Sequence, residues 1–407
     1  CLSSDPNQRP SFDEIVNKLR NSEDFITYSI GDKYKKPLIS ISSLCSYKPW
    51  ILHEGEGLFF GDNNYRLFRK KTEILLAKNY LRILNIKEID LNNYEKLRKI
   101  GSGGFGNVYL IRHKSTKQLF AAKMFLANKS KISDFLHELI INSEAKHPSI
   151  TKLIGYSFHD FDNKFNMIII TEYVKNGSLE RILRNERNNI IPKGWNKTMK
   201  LITIYGIASA ISCLHSKGIL HLDIKPENVL ITKSFLSKIC DFGISLKIDS
   251  DQLIRSETIG TFRYISPEII KHDTPTTKSD VYSFGILLYE IISNTYPYEG
   301  CNPYNIIYQV TNGIKPNLSS SIPEIYSNLI QSCLDDDPYN RPSFEDMVND
   351  LRSNKKYIID DIDESLYLSF IDIIDDELRG IDITSKRDKL FEKHNLDDFY
   401  KNICHYE

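Results

Sequence analysis

The chain has 407 residues, and its 53 Lys and Arg are balanced by 53 Asp and Glu. That balance excludes the global basic field that nucleic acid or an anionic membrane would select, and the length allows one large or two medium domains with a buried core. The seven scattered cysteines form no Cys-x-x-Cys pair, which argues against zinc and against a disulfide framework.

Reduced thiols and a cytoplasmic protein are therefore expected. No apolar run approaches the roughly 20 residues of a membrane helix, so no membrane span is expected. No signal peptide is recognisable.

At the start, Cys1-Leu2-Ser3-Ser4-Asp5-Pro6-Asn7-Gln8-Arg9-Pro10-Ser11-Phe12 returns near the other end as Cys333-Leu334-Asp335-Asp336-Asp337-Pro338-Tyr339-Asn340-Arg341-Pro342-Ser343-Phe344. The match runs on through Val16/Val348, Asn17/Asn349, Leu19/Leu351 and Arg20/Arg352. Similarity over so long a period marks a tandem array. Residues 1–20 are thus expected to be the last helix of a preceding domain like the one further on.

Residues 21–93 read as a linker. Within it, 64–86 has a helical stripe of Leu67, Ile74, Ala77, Leu81 and Leu84, with Arg66, Arg69, Lys70, Lys71, Lys78 and Arg82 filling much of the remainder. A solvated face over a packing stripe is the simplest reading; a docking surface or a membrane-facing helix is the alternative.

From Tyr94 the texture changes to strand, then Gly101-Ser102-Gly103-Gly104-Phe105-Gly106, then a second strand from Asn107 to Arg112. A Gly-x-Gly-x-x-Gly alone is weak, because the dinucleotide-binding turn shares it; that turn opens a helix and wants an acid about 20 residues on. Here the glycines join two strands, and the next element, Leu119 to Phe125, offers Lys123. The loop therefore reads as a flap over phosphates, where glycine lets backbone N–H groups approach closely.

Ser133-Asp134 should cap a helix running to about Ala145, with Glu138 as the anionic partner of Lys123. Met167 to Ile170 is a buried strand, and Glu172 to Leu179, with Asn176-Gly177, is a turn between two lobes. A largely apolar helix over 197–216 carries Leu201, Tyr205, Ala208, Ile211 and Leu214 on one stripe and delivers the chain to His221-Leu222-Asp223-Ile224-Lys225-Pro226-Glu227-Asn228. There a carboxylate can take or orient a hydroxyl proton, an ammonium can sit on a transferring phosphate, and an amide oxygen can bind a metal. Pro226 bars a helix, so these groups project from a loop. A hairpin over 229–240 ends in Asp241-Phe242-Gly243, and a carboxylate beside Asn228 is a natural divalent-metal site.

The tail, 353–407, opens on Asp360, Asp361, Asp363 and Glu364 and continues with an amphipathic Leu366, Phe370, Ile374, Leu378 stripe. A second helix is expected from Lys386 to Asn402. The tail reads equally as a partner-docking segment, a piece of linker or packing on the large lobe.

Taken in order, these motifs resemble a eukaryotic protein kinase over residues 94–352. The set includes Gly260-Thr261-x-x-Tyr264-x-Ser266-Pro267-Glu268, Asp280-Val281-Tyr282-Ser283-Phe284-Gly285 and Arg341-Pro342. The resemblance implies an α+β, two-lobed protein kinase fold: a small antiparallel β lobe with one key helix (94–175) and a large, mainly α lobe (176–352). It makes residues 1–20 the remnant of an upstream kinase-like domain, and a neighbouring kinase domain a possible partner.

By the same resemblance, Lys123 holds the α/β-phosphates and pairs with Glu138, Asp223 is the catalytic base and Lys225 steadies the γ-phosphate. Asn228 and Asp241 bind Mg²⁺. Gly101, Gly103 and Gly106 cover the phosphates of ATP. Ile100, Val108, Ala121, Thr171 and Leu230 wall the adenine pocket, with hydrogen bonds from the Glu172–Val174 backbone. Glu268 and Arg341 form a buried ion pair, Asp280 braces the catalytic loop, and Thr261 bridges Asp223 and Lys225.

Lys225 and the Gly-Thr-x-x-Tyr-x-Ser-Pro-Glu stretch resemble serine/threonine kinases acting on protein substrates. Gly177-Ser178-Leu179 and the Cys333…Arg341-Pro342-Ser343-Phe344 ending resemble the tyrosine-kinase-like branch. The family's arginine in His-Arg-Asp is Leu222 here, so no phosphate on Ser250, Ser256 or Thr258 is expected to be held at that position. Cys240 reads as a small buried filler, or alternatively a reactive thiol. The rival reading is a pseudokinase, which predicts loss of at least one of Lys123, Glu138, Asp223, Asn228 and Asp241; all five are present.

Overall fold

The computed structural model describes residues 62–104, 106–126, 131–232, 236–248 and 262–393. The repeat over 1–20, the first part of the expected linker, Ser250, Ser256, Thr258 and Thr261 lie outside the described residues.

Helix α1 (Asp62–Ile83) comes first. Of its expected stripe, Ala77 and Leu81 are buried and Ile74 packs beside them, whereas Leu84 follows the helix and is 37% exposed. A sheet then forms from β1 (Tyr94–Ser102), β2 (Gly106–His113) and β3 (Leu119–Phe125). Helix α2 (Ile132–Glu144) crosses to β4 (Leu153–His159) and β5 (Phe165–Glu172), giving an antiparallel sheet in the order β1-β2-β3-β5-β4. Helix α2 begins one residue before the expected Ser133 cap. Asp134 caps it by accepting the Lys131 N–H at 3.0 Å, which also sets a carboxylate against the positive end of the helix dipole.

The outer edge of β4 is covered by the chain after α1. Ile89 N–H donates to Tyr156 O at 2.7 Å, and Tyr156 N–H donates to Lys87 O at 3.0 Å. Gly155 permits this approach, since a Cβ there would stand 2.3 Å from Lys87 O. The expected linker over 21–93 is thus revised for its second half. From α1 onward it is built into the small lobe, because its apolar stripe meets an apolar face of α2.

The large lobe comprises α3 (Leu179–Arg187), α4 (Lys197–Ser216), and the short pairs β6 (Ile219–Leu220) with β9 (Leu246–Lys247) and β7 (Val229–Ile231) with β8 (Ser237–Ile239). After them come α5 (Pro267–Ile270), α6 (Thr277–Ser293), α7 (Pro303–Thr311), α8 (Glu324–Cys333), α9 (Phe344–Ser353), α10 (Glu364–Leu378) and α11 (Thr384–Lys393). Asn196 caps α4 by accepting the Met199 N–H at 3.0 Å. By length and composition alone α4 could cross a membrane, which amends the expectation that no stretch is apolar enough. Its apolar window is 78% buried, however, and it serves as the lobe's central helix.

The described part of the tail packs on the large lobe. Leu366, Tyr367, Phe370, Ile371, Ile373 and Ile374 of α10 are buried in the large-lobe core, while Leu378 is half-exposed. Tyr367 donates to Leu351 O at 2.9 Å, and Asp363 N–H donates to Thr198 Oγ1 at 2.9 Å. Within the described residues the second tail helix is α11 (Thr384–Lys393), and the rest of the stretch expected to reach Asn402 lies outside them.

Candidate active site

The strand pairing sets one wall of the cleft between the lobes. Val108 is opposite Lys123, and Ala121 is opposite Thr171. Since side chains alternate along a strand, Val108, Ala121, Lys123 and Thr171 share one face of the sheet. Ile100, Val108, Ala121 and Thr171 are half-buried, as is Leu230, which comes from β7 in the large lobe. Val174 is buried. Glu172 turns its carboxylate away to Lys238 (2.8 Å) and the Lys152 N–H (2.8 Å), and its own N–H donates to Lys152 O. What Glu172 can offer a ligand is therefore its carbonyl.

Above this face the glycine turn is closed by Gly103 N–H donating to Gly106 O at 2.9 Å. Gly106 must be glycine, because a Cβ there would meet Met124 O at 2.3 Å. At Gly103 and Gly104 a Cβ would find nothing within 4 Å, so the tip presents bare backbone to whatever lies beneath it. Gly101 lies at the end of β1, opposite Val108.

Three charged side chains meet under the sheet. Lys123 Nζ donates to Glu138 Oε1 (2.7 Å) and Oε2 (2.8 Å) and to Asp241 Oδ1 (2.7 Å). Burial raises the Glu138 carboxyl, Lys123 offsets part of that and Asp241 adds to it, leaving it pushed up to about 7. Burial opposes the charge on Lys123 too, but Glu138 and Asp241 outweigh it and hold the ammonium protonated. Burial likewise works against Asp241, yet Lys123 dominates and keeps that carboxyl below its ordinary range. Two carboxylates thus share one ammonium.

The loop from His221 to Asn228 is fixed from below. Buried Asp280 accepts the backbone N–H groups of His221 and Leu222 and the Nε2 of His215, each at 2.8 Å. Burial opposes the charge on Asp280, but these donors win and hold the carboxyl below its usual value. Leu222 sits at φ 63 and Asp241 at φ 66, left-handed conformations that a side chain larger than glycine adopts only when its surroundings impose them. On the loop, Lys225 Nζ donates to both Asp223 oxygens at 2.8 Å. Asn228 Nδ2 donates to Asp223 O (2.9 Å) and Oδ2 (2.7 Å). With its N–H groups spent in this way, Asn228 keeps its amide oxygen as an acceptor, and its backbone carbonyl takes the N–H of Cys240 at 3.0 Å, one residue before Asp241. An amide oxygen and a carboxylate are the hard donors that a small divalent cation prefers, so this pair fits one. Among the described residues no group of three or more His, Cys, Asp or Glu forms a metal cage, so such a cation would take its other oxygens from a ligand and water.

Cys240 donates to Asn228 O (3.5 Å), and burial together with the Asp241 charge pushes its thiol well up. That favours the filler over the reactive thiol. Further down, Arg341 grips Glu268 through Nη1 (2.7 Å) and Nη2 (3.1 Å). The spacing of motifs did not reveal that Asp241 would be held by Lys123, 118 positions away. Nor did it show that His137, beside Glu138, would reach Ser245 O with Nε2 at 2.6 Å.

A family model described as the protein kinase domain matches residues 94–351. A LIM domain-containing serine/threonine-protein kinase of Dictyostelium discoideum is 32% identical over 295 residues, which is 69% of this chain and 44% of that protein. The serine/threonine-protein kinase drkB of the same organism is 32% identical over 340 residues, 82% of this chain and 46% of that protein. The serine/threonine-protein kinase Nek9 of Mus musculus is 30% identical over 263 residues, 63% of this chain and 26% of that protein. The chain spans less than half the length of these relatives.

Proposed function

This chain belongs to the protein kinase family, and from that premise we propose that it is an active serine/threonine kinase, transferring the γ-phosphate of Mg-ATP to hydroxyls of protein substrates. One observation carries the reading: Lys123 is already joined to both Glu138 and Asp241 while Lys225 and Asn228 hold the Asp223 carboxylate. All six groups are gathered at one cleft.

In the reaction, Lys123, steadied by Glu138, holds the α/β-phosphates under the glycine turn. Asp223 orients the acceptor hydroxyl and takes its proton. Lys225, beside Asp223, neutralises charge on the phosphoryl group in flight. Asn228 and Asp241 would hold Mg²⁺, which when bound offsets phosphate charge and aligns the chain of phosphates. In this account Leu222 removes nothing that the chemistry needs. The direct grip of Asp280 on the backbone of His221 and Leu222 supports transfer without a phosphate on the segment before Gly260.

Gly177-Ser178-Leu179 and the Cys333 to Phe344 stretch support placing it in the tyrosine-kinase-like branch. A neighbouring kinase domain is supported by the repeat in residues 1–20. The counterparts Cys333, Leu334, Arg341, Phe344 and Leu351 are all buried in the large-lobe core, so the first copy would need a lobe of its own. Free Cys213, Cys240, Cys301 and Cys333 support a cytoplasmic setting.

The test is phosphate transfer from Mg-ATP to a generic basic protein, with the acceptor residue identified and with Asp223→Asn alongside. Loss of a general base should lower the rate by about 10²–10⁴, and phosphatase pretreatment should leave the wild-type rate in place. Transfer to tyrosine alone would overturn the specificity. Nucleotide binding without transfer would leave an ATP-binding scaffold.

A further inference from the structure

Helix α1 lies outside the matched kinase domain and takes no part in the chemistry described, yet it packs directly on the helix that carries Glu138. Leu81 is fully buried and Ala77 nearly so, in one cluster with Phe135, Leu136 and Leu139 of α2, which flank Glu138. Phe135 is the centre of that cluster. It meets Phe125 at 5.5 Å, Phe158 at 5.3 Å and Tyr156 at 6.2 Å between ring centroids. Phe125 is two residues beyond Lys123 on β3, so continuous packing runs from Leu81 to both members of the Lys123–Glu138 pair.

The chain after α1 is itself anchored. Lys78 pairs with Glu88 at 2.6 Å, and residues 87–89 are zipped to β4 at Tyr156. Close-packed interfaces of this kind shift between discrete arrangements rather than yielding gradually. For α2 to rotate Glu138 away from Lys123, Leu136 and Leu139 would have to leave the cluster they share with Leu81 and become exposed to water. Without α1 that restraint is gone.

We propose that α1 is a positioning element for phosphoryl transfer, and that Leu81 acts through α2 to hold Glu138 against Lys123. The inference rests on the reading of this chain as a transferring kinase. It makes the segment before the kinase domain a control point, since whatever moves α1 moves Glu138.

The experiment uses the full chain with Leu81→Ala and Leu81→Met, each alone and combined with Glu138→Gln, following kcat and KM for ATP. Misplacement at this scale should lower kcat/KM by about 10- to 100-fold for Leu81→Ala. Leu81→Met, which conserves volume, should remain within about 3-fold of wild type. If Leu81 works through Glu138, then Leu81→Ala should cost less than about 3-fold in the Glu138→Gln background. Full multiplication of the two losses would reduce α1 to a general stabiliser and overturn the proposal, as would an unaffected Leu81→Ala.

Hydrogen exchange in the same proteins gives a readout independent of activity. Leu81→Ala should expose the amides of residues 132–144 while those of α6 stay protected; unchanged protection in α2 overturns the proposal. If wild type transfers no phosphate, the kinase reading falls and exchange alone still decides the role of α1. Should α6 also lose protection, Leu81→Val makes the same comparison with a smaller cavity.

Discussion

Glu138 in the small lobe and Glu268 in the large lobe each sit against a cation, and they respond to their surroundings in opposite ways. Glu268 is met by both terminal nitrogens of Arg341 and by the Ser279 hydroxyl at 3.0 Å. Arg341 spends its remaining reach on the carbonyls of Lys278 and Asp335, both at 2.9 Å. Burial alone would raise the Glu268 carboxyl, but Arg341 outweighs it and the group is held below its ordinary value. Glu138 has one cation and must share it with Asp241, so burial wins and its carboxyl rises to about 7. The satisfied pair belongs to a part of the fold that need not change. The undersupplied trio belongs to a cleft built to receive further positive charge, which is where strain of this kind is expected.

The largest test of the contrast is Arg341→Met. It leaves Glu268 half-buried without its partner, and breaking a buried pair one-sidedly costs about 3–5 kcal/mol. We expect a matching fall in the urea midpoint, with transfer per folded molecule retained; a stability change below about 1 kcal/mol would mean that the pair is dispensable. Asp241→Asn should do the reverse. Transfer should fall by at least about 10²-fold, while the nucleotide-free protein, relieved of one carboxylate competing for Lys123, should be no less stable than wild type. A marked fall in melting temperature would count against competition for Lys123.

The pH dependence follows with opposite signs. Burial pushes the Glu138 carboxyl up to about 7 in the fold against an ordinary glutamate value of 4.5, so the folded state binds its proton more tightly. Its contribution to stability is complete below 4.5 and is lost as the pH rises through about 7. Glu268, with its lowered value, contributes above 4.5 and loses that contribution as the pH falls through its folded pKa. The unfolding free energy of the nucleotide-free chain should therefore fall more steeply between pH 5 and 8 for wild type than for Glu138→Gln; parallel curves would show that Glu138 is ionised throughout.

Much of the cleft was legible because its chemistry is carried by residue types at short spacing. Asp223, Lys225 and Asn228 lie within one loop, and Gly101, Gly103 and Gly106 of the flap are separated by one and two residues. Four strands of the sheet were legible around the glycine turn and the apolar run Met167 to Ile170, whereas β4 (Leu153–His159) was not; the large lobe was legible from α4, whose residues are apolar on nearly every side. What could not be read was partnership. A stripe such as Ala77 and Leu81, or Leu366, Phe370 and Ile374, states that a face must be covered and says nothing of what covers it. Here the partners, α2 and α4, are remote in sequence. The same holds for Asp241 on Lys123, and for the left-handed backbone at Leu222, a residue with no local preference for it.

The smallest effect sharpens the comparison from outside the core. Lys197 and Asp361 form a third kind of pair, 2.9 Å apart, with side chains 53% and 80% exposed, joining α4 to the turn before α10. On geometry alone it resembles the two buried pairs. Water nevertheless screens both charges, and holding two long side chains in one arrangement costs entropy, so an exposed pair contributes only about 0–1 kcal/mol. The tail is held instead by α10, where Phe370 and Ile374 are each 1% exposed and Tyr367 is anchored to Leu351 O. Asp361→Ala should thus shift the unfolding free energy by less than about 0.5 kcal/mol and leave exchange protection of residues 366–374 unchanged. Deprotection of α10 in that variant would mean that the charge pair, and not apolar burial, docks the tail.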